Sequence, residues 1–495
     1  MSSRSKLARN ALASVIQMVC GAVLLFALYR FINITLGVEQ LGIRSVVLAT
    51  VAASHLADLG LSSGVTRFVA RDRAREQNAR AVRVVDTVLF TIAGVVALLA
   101  WPLFILGQAI LPYFFQDNHL RLALEVLPLA LVSLWLTMLS TVLQGGLDGC
   151  QRMELRAGLV LLGQVALLGM AFWLVPTYGL KGLAWAQVTQ AGLLVVFGRV
   201  LLCRALPGLP ILPSHWSKNL LREMLGYGMN MQAATVLMLL FDPVAKALMA
   251  RFGGAAAAGY FEMANQVVLK VRGIVIAANQ AIVPYIAEMK ESAADELRSV
   301  YAKNIKVLSF VVIPTFSTLL AWAGVVSWLL LGQHNLEFIS LLGLLTIAWA
   351  FNIFNAPAYF FNMGTGKVGW NTLCHLLMAS ISTIFGFVLG PYYGMSGVAA
   401  GYGAAIILSS MGLVWIFGIV NNISIRPIIG RMRSLLMCLV VGSFGFLISI
   451  LNPFQAIYST LFAAVVSTGL ICTITILHPT GKELIISIRQ RMNRL

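Results

Sequence analysis

The chain has 495 residues, of which 59% are hydrophobic and 11% charged, with a mean hydropathy of +0.87. Soluble domains carry about 25% charged residues, so most of this chain must face lipid or other apolar helices. The net charge of +17 raises the question of nucleic acid or an acidic surface, but the placement of the basic residues answers it differently.

A hydrocarbon core about 30 Å thick needs roughly 20 apolar residues per helix. Fourteen runs meet that standard, at about 11–32, 40–61, 84–107, 122–144, 157–176, 180–202, 226–250, 256–284, 307–331, 338–362, 371–390, 397–420, 434–451 and 456–477. The first follows a basic start and mimics a signal peptide. It is longer than a typical h-region and shows no small-residue cleavage site, so it reads as an uncleaved helix. With the N-terminus inside, the outside loops carry only Arg30, Arg121, Lys181 and Arg251. Four more basic residues, Arg44, Lys246, Lys270 and Arg272, lie deeper within spans, and the rest of the 35 fall inside or at the inner end of a span. The basic balance therefore records topology by the positive-inside rule, with both termini cytoplasmic and no call for nucleic acid.

In the second span, Arg44, His55, Asp58 and Ser62 share one arc of the helical wheel. Arg44 and Asp58 lie towards opposite ends of that span, from which a side chain reaches the interface. His55 reads more readily as a hydrogen-bonded packing residue than as a proton carrier. The charged segments "RDRAREQNARAVR" (Arg71–Arg83) and "EMKESAADELRSVYAKNIK" (Glu288–Lys306) read as short cytoplasmic surface helices. Outside loops are short throughout and offer no room for a soluble catalytic domain. The six cysteines are scattered without metal or redox spacing and read as small apolar filler; no cofactor or metal site is indicated.

The chain repeats itself. "VPTYGLKGLAWA" (Val175–Ala186) and "GPYYGMSGVAAG" (Gly390–Gly401) share Pro-x-Tyr-Gly-x-x-Gly at an offset of 215, and "GCQR" (Gly149–Arg152) meets "GTGK" (Gly364–Lys367) at the same offset. "LGVEQLGI" (Leu36–Ile43) meets "GGAAAAGY" (Gly253–Tyr260) at 217, pairing Gly37 with Gly254 and Gly42 with Gly259, and "TRFVAR" (Thr66–Arg71) meets "VPYIAE" (Val283–Glu288) at the same offset. Six spans return the chain to its starting side, so the halves are parallel repeats, with a substrate site expected at the interface between them. This gives an N-lobe over 1–203, a Pro-rich cytoplasmic linker over 204–225, a C-lobe over 226–420, and two added spans with a cytoplasmic tail over 421–495. The fold class is all-α integral membrane: fourteen transmembrane helices, two parallel six-helix lobes plus two extra C-terminal helices.

The seventh and eighth spans carry the sharpest signal. Gln232, Thr235, Asp242 and Lys246 share a narrow arc, with Asp242 and Lys246 at ion-pair spacing and Pro243 between them favouring a kink. The pair suits a coupling role and equally a self-neutralising pair. In the eighth span Glu262, Asn265, Gln266, Lys270, Arg272, Asn279 and Gln280 fall within one half of the wheel. The other half, with Met263, Val267, Val268, Val271, Ile274 and Val275, suits lipid. A cation at bilayer depth costs about 2.5–3.5 kcal/mol on insertion scales. Lys270 and Arg272 outnumber nearby acid and are placed to flank an anion. Phosphate or pyrophosphate fits, by point charge from Lys and bidentate contact from Arg.

The chain resembles the polysaccharide (O-antigen or capsule) flippases of the multidrug/oligosaccharidyl-lipid/polysaccharide exporter superfamily. The resemblance rests on the fourteen spans, the six-plus-six repeat, "HLADLGLSSGVTRFVAR" (His55–Arg71), "LGYGMNMQ" (Leu225–Gln232), "GYFEMANQV" (Gly259–Val267) and the repeated Tyr-Gly-x-x-Gly. It implies a non-enzymatic carrier in the bacterial inner membrane, moving an undecaprenyl-pyrophosphate-linked oligosaccharide outward by alternating access. It implies as partners the lipid-linked sugar, membrane lipids, a polysaccharide polymerase and an H⁺ or Na⁺ counter-ion. The substrate-binding candidates are Lys270, Arg272, Lys246, Arg44, Gln266 and Asn279; the coupling candidates are Asp242, Asp58 and His55. A cation-coupled drug or metabolite exporter is the alternative, using Asp58 and Asp242. A membrane-embedded glycan polymerase or ligase is the enzyme alternative, and lacks the large outside loop such enzymes use.

Overall fold

The structure is a computed structural model that describes residues 3–52, 60–280, 286, 297–421, 423, 433–451 and 457–478. Among the described residues there are fourteen α-helices and no strand. Contacts divide the chain into two compact units, Met1–Gly259 and Tyr260–Leu495.

The first unit opens with α1 (Ser3–Leu36) and α2 (Val38–Val51), broken at Gly37. There follow α3 (Leu61–Ala74), α4 (Asn78–Ile110), α5 (Asp117–Gly149), α6 (Met153–Ala205) and the long α7 (Lys218–Gln280), which continues into the second unit. Its core is a cluster of aliphatic side chains from α3, α4, α5 and α6, among them Val65, Val85, Val88, Ile92, Val142 and Leu202. The second unit adds α8 (Leu297–Ala321), α9 (Ala323–Leu331), α10 (Leu336–Phe354), α11 (Ala356–Thr365), α12 (Gly369–Val420), α13 (Arg433–Leu451) and α14 (Ile457–Leu477). Tyr301, Phe361 and Phe417 stack at one of its cores, and Ile313, Leu435, Cys438 and Ile471 join α13 and α14 to α8 at another.

Among the described residues, eight helices are long and apolar enough to cross a membrane. Two of them, α6 at 53 residues and α12 at 52, are far longer than one crossing needs. Each carries a single non-helical glycine at its middle, Gly179 (φ 57°, ψ −135°) and Gly394 (φ 56°, ψ −134°), and so holds the two spans expected there. α7 likewise turns at Gly254 (φ 82°, ψ 176°), and α1 and α2 at Gly37 (φ 83°, ψ 165°). These are positions that L side chains rarely adopt. The pairs Gly37/Gly254 and Gly179/Gly394 are those aligned by the repeat, and their dihedrals agree within about ten degrees, so the internal repeat is a repeat of backbone conformation. Close approach repeats as well: a Cβ on Gly42 would overlap the Ala255 carbonyl, and one on Gly259 the Val38 carbonyl. The two contacts are images of one another under the same offset.

Some expectations change. α7 holds Pro243 inside it, and its non-helical residue is Gly254. The segment 71–83 is not a separate surface helix. It is shared between the end of α3 and the start of α4, with Glu76 (φ 58°) at the turn. Asp72, fully buried, receives Arg71 at 2.9 Å and Arg80 at 3.5 Å, and both arginines also reach Glu223 of α7. The ion pairs make a compact corner cheaper than a free helix. Of the second charged segment, 287–296 lies outside the described residues, and α8 begins at Leu297.

The non-helical part of the linker is 206–217, since α7 starts at Lys218. It is bound to the first unit rather than loose. Arg199 of α6 donates to the Pro210 and Ile211 carbonyls at 2.7 and 3.1 Å and pairs with Asp86 of α4 at 2.9 Å. The Ser214 backbone N–H donates to the other Asp86 oxygen at 3.1 Å, the Ser217 N–H to Thr87 Oγ1 at 3.2 Å, and the Trp216 indole to Thr91 Oγ1 at 3.2 Å.

Candidate functional site

A cation inside a membrane protein faces water, an anion or an aromatic face. In the second unit the structure gives Arg272 the last of these. Its guanidinium lies 4.7 Å over the Trp349 ring, and its Nε donates to Asn352 Oδ1 at 3.1 Å. Trp349 and Asn352 are three apart on α10 and therefore share a face. Asn265 and Arg272 are seven apart on α7 and share another. The Trp349 indole N–H donates to Asn265 Oδ1 at 3.1 Å, so the two faces are joined twice. Asn352 Nδ2 donates to Ser410 Oγ of α12 at 2.9 Å, and Tyr402 of α12 packs edge-on against both Trp349 and Phe261. The Tyr359, Tyr402 and His375 side chains are within electrostatic reach of the guanidinium. Three helices thus hold one cation in place with neutral groups alone.

Lys270, two residues earlier on α7, is half-buried and has no hydrogen bond or ion pair among the described residues. Neither it nor Arg272 forms an ion pair with an acid there. Gln266 is partly buried and donates to Glu262 one turn back at 3.2 Å. The side chain of Asn279 lies outside the described residues, as do those of Gln280, Gln232 and Thr235. The half of the wheel expected to meet lipid does not do so as a whole: Met263, Val267, Val268 and Val275 are buried, and Ile274 is the exposed one. Over its described side chains the helix is therefore buried on parts of both halves.

In the first unit, Arg44 is buried instead of reaching an interface, and its Nε donates to Gln187 Oε1 of α6 at 3.3 Å. Asp242 and Lys246 are half-buried on α7, and neither is without a partner. His55 and Asp58 lie outside the described residues. Among the described residues no cluster of His, Cys, Asp and Glu is arranged to hold a metal ion.

Sequence reasoning missed Trp349, Asn352 and His375. The signal for the first two was Trp-x-x-Asn in the otherwise apolar "TIAWAFNIF". His375 of α12 is 8% exposed, packs against the Tyr359 ring at 5.7 Å, and has no hydrogen bond to either ring nitrogen among the described residues. A single His inside an apolar run gives no warning of that.

Outside the spans, Cys150 sits in the turn between α5 and α6, where Arg73 Nη1 donates to its carbonyl at 3.1 Å. Burial pushes its thiol up, against the pull of Arg73.

The sequence model of the family described as polysaccharide biosynthesis protein matches residues 22–340. A Shigella flexneri protein named as an O-antigen transporter is 21% identical over 397 residues, covering 77% of this chain and 90% of that protein. Among solved structures, the lipid II flippase MurJ in an inward closed conformation superposes with a TM-score of 0.70 at 13% identity, over 96% of this chain and 99% of that one. A Vibrio cholerae MATE transporter, VcmN, superposes with a TM-score of 0.60 at 16% identity, over 86% and 99%. These likenesses show the fold: an all-α membrane fold like that of MurJ and the MATE transporters. The family match covers well over half of the sequence, and the chain belongs to the polysaccharide biosynthesis protein family.

Proposed function

We propose that the protein is a flippase, moving an oligosaccharide linked to undecaprenyl pyrophosphate from the cytoplasmic to the outer leaflet of a bacterial inner membrane by alternating access. The product would feed surface polysaccharide assembly (O-antigen, capsule or exopolysaccharide), with a polymerase acting after it and an H⁺ or Na⁺ gradient as the source of drive. Both termini are then cytoplasmic. The relatives' names support a transporter rather than an enzyme, and an O-antigen or lipid-linked cargo in particular.

The observation that carries this reading is the pair Lys270 and Arg272. Two cations lie in an apolar helix without an acid to neutralise them among the described residues. A buried charge without a counter-charge is costly, and a diphosphate entering beside it relieves the cost while losing its own water. Lys270 supplies a free ammonium. Arg272, braced by Trp349 and Asn352, supplies a planar donor set in a fixed orientation. Arg44, Lys246, Gln266 and Asn279 are proposed as further contacts to the cargo, and Asp242, Asp58 and His55 as coupling groups.

The test is deletion of the gene in its host, with extraction of lipid-linked glycans. Loss of surface polymer with single lipid-linked repeat units retained on the cytoplasmic side is the expected result. Complementation with Lys270→Ala and Arg272→Ala together should fail although the protein reaches the membrane. Unchanged glycans with new sensitivity to cationic compounds would instead assign a drug exporter, and would move attention to Asp58 and Asp242.

A further inference from the structure

The first unit carries an apolar groove that uses none of the residues proposed above for the cargo. Between α4, α5 and α6, a groove of about 400 Å³ is lined by Leu89, Phe90, Val196 and Val200, with Ile211 and Leu212 of the linker. Its size lies within the roughly 300–1,000 Å³ of ordinary ligand pockets. Phe90, Val196 and Val200 are exposed on helices of membrane-spanning length, so the groove opens where hydrocarbon is the solvent. Ile211 and Leu212 are more than 70% exposed, although the backbone beneath them is fixed to Arg199.

One polar group belongs to this groove. Arg199 lines it and is 7% exposed, and its Nη1 is buried without a hydrogen-bond partner among the described residues, while Nε and Nη2 are used on the linker and on Asp86. A guanidinium N–H left unsatisfied in an apolar setting costs on the order of 1–3 kcal/mol, so the site calls for an acceptor. The Asp86 carboxylate already neutralises the charge, and a neutral acceptor attached to a long apolar chain fits better than a diphosphate.

We propose that this groove is a binding site for a membrane glycerophospholipid, one acyl chain lying along Phe90, Val196 and Val200 and an ester carbonyl accepting from Arg199 Nη1. Ile211 and Leu212 would then enter the acyl region beside it, and the linker would sit at the cytoplasmic interface with bound lipid as part of its support. The site is distinct from the cargo site proposed above and does not depend on it.

The experiment uses the full-length protein, delipidated in mild detergent, and follows Tm as lipid is returned. The probes are dioleoyl phosphatidylethanolamine, its dialkyl ether analogue without ester carbonyls, and undecaprenyl phosphate. The diester lipid should raise Tm saturably. The ether analogue should need about fivefold more for the same shift, the effect of one lost hydrogen bond. Val196→Trp, which fills the groove from its lipid side and leaves Arg199 and Asp86 in place, should lose the response. Equal potency of diester and ether would overturn the proposal, as would a full response in Val196→Trp. A larger shift with undecaprenyl phosphate would overturn it too, by assigning the groove to the carrier chain. Should Val196→Trp fail to fold, the diester–ether comparison on the unsubstituted protein decides alone.

Discussion

At the scale of the residue, the chemistry turns on how a cation is tolerated inside an apolar helix. Arg272 is held by an aromatic face and an amide oxygen, and each interaction has a geometry that lysine does not reproduce. Arg272→Lys keeps the charge and loses the Nε donor to Asn352. It should lower export by about tenfold, the scale of one charge-assisted hydrogen bond, whereas Arg272→Ala should abolish it. Accumulated lipid-linked repeat units are the readout, and equal export in the two variants would show that charge there is irrelevant. That two cations, Lys270 and Arg272, stand within an apolar run was legible in the sequence. The partners of Arg272 were not: Trp349 and Asn352 are about 80 positions away and become neighbours only when α10 packs against α7. Cys150 gives a simpler prediction. Its thiol is pushed up by burial, so thiolate at neutral pH is scarcer than for a free cysteine. Maleimide labelling of Cys150 in the folded protein should be slow at pH 7 and should rise only as the pH passes the usual thiol range; fast labelling at pH 7 would contradict the buried setting.

At the scale of the element, long helices are divided by glycines and joined by buried polar ties. Gly179 and Gly394 hold φ near +57° with ψ near −135°, a region that costs other residues roughly 1–3 kcal/mol. Gly179→Ala should therefore lower thermal stability by that order. Gly94→Ala, where an added methyl meets nothing within 4 Å, should not. A Gly179→Ala protein as stable as the parent would remove the backbone argument. The linker tie is testable by a cycle. Asp86 is fully buried and Arg199 nearly so, and removing one partner of such a pair costs about 3–5 kcal/mol. Asp86→Leu alone should be strongly destabilising, and Asp86→Leu with Arg199→Met should recover much of the loss. Additive losses in the thermal melts would mean that the pair is not coupled. The spans and the repeat were readable from hydropathy and from the Tyr-Gly-x-x-Gly spacing. The Asp86–Arg199 tie was not, because both residues look like ordinary ends of apolar runs, and 113 positions separate them.

At the scale of the whole molecule, the fold is that of the MOP superfamily transporters, reached at 13% identity to one solved relative and 16% to another. Such a fold survives sequence drift because its requirements are coarse: helices of bilayer length, all backbone groups satisfied internally, and small residues where helices meet. The placement of Lys and Arg predicts the topology: reporter fusions at the two ends should both report the cytoplasmic side, and an outward C-terminus would break the even span count. By itself the sequence determined the membrane setting, the long apolar helices, the internal repeat and the presence of Lys270 and Arg272 within one of those helices. All of these depend on local hydropathy, spacing and charge, which the chain carries in order. Only the tertiary structure decided that the Arg272 guanidinium rests on Trp349, that Met263, Val267, Val268 and Val275 are buried, that Arg44 turns inward to Gln187, and that the linker is locked by Asp86 and Arg199. Each of these depends on which residues from distant helices meet. In an almost uniformly apolar chain, alternation of polar and apolar residues marks few of those meetings, and packing of one helix against another selects them.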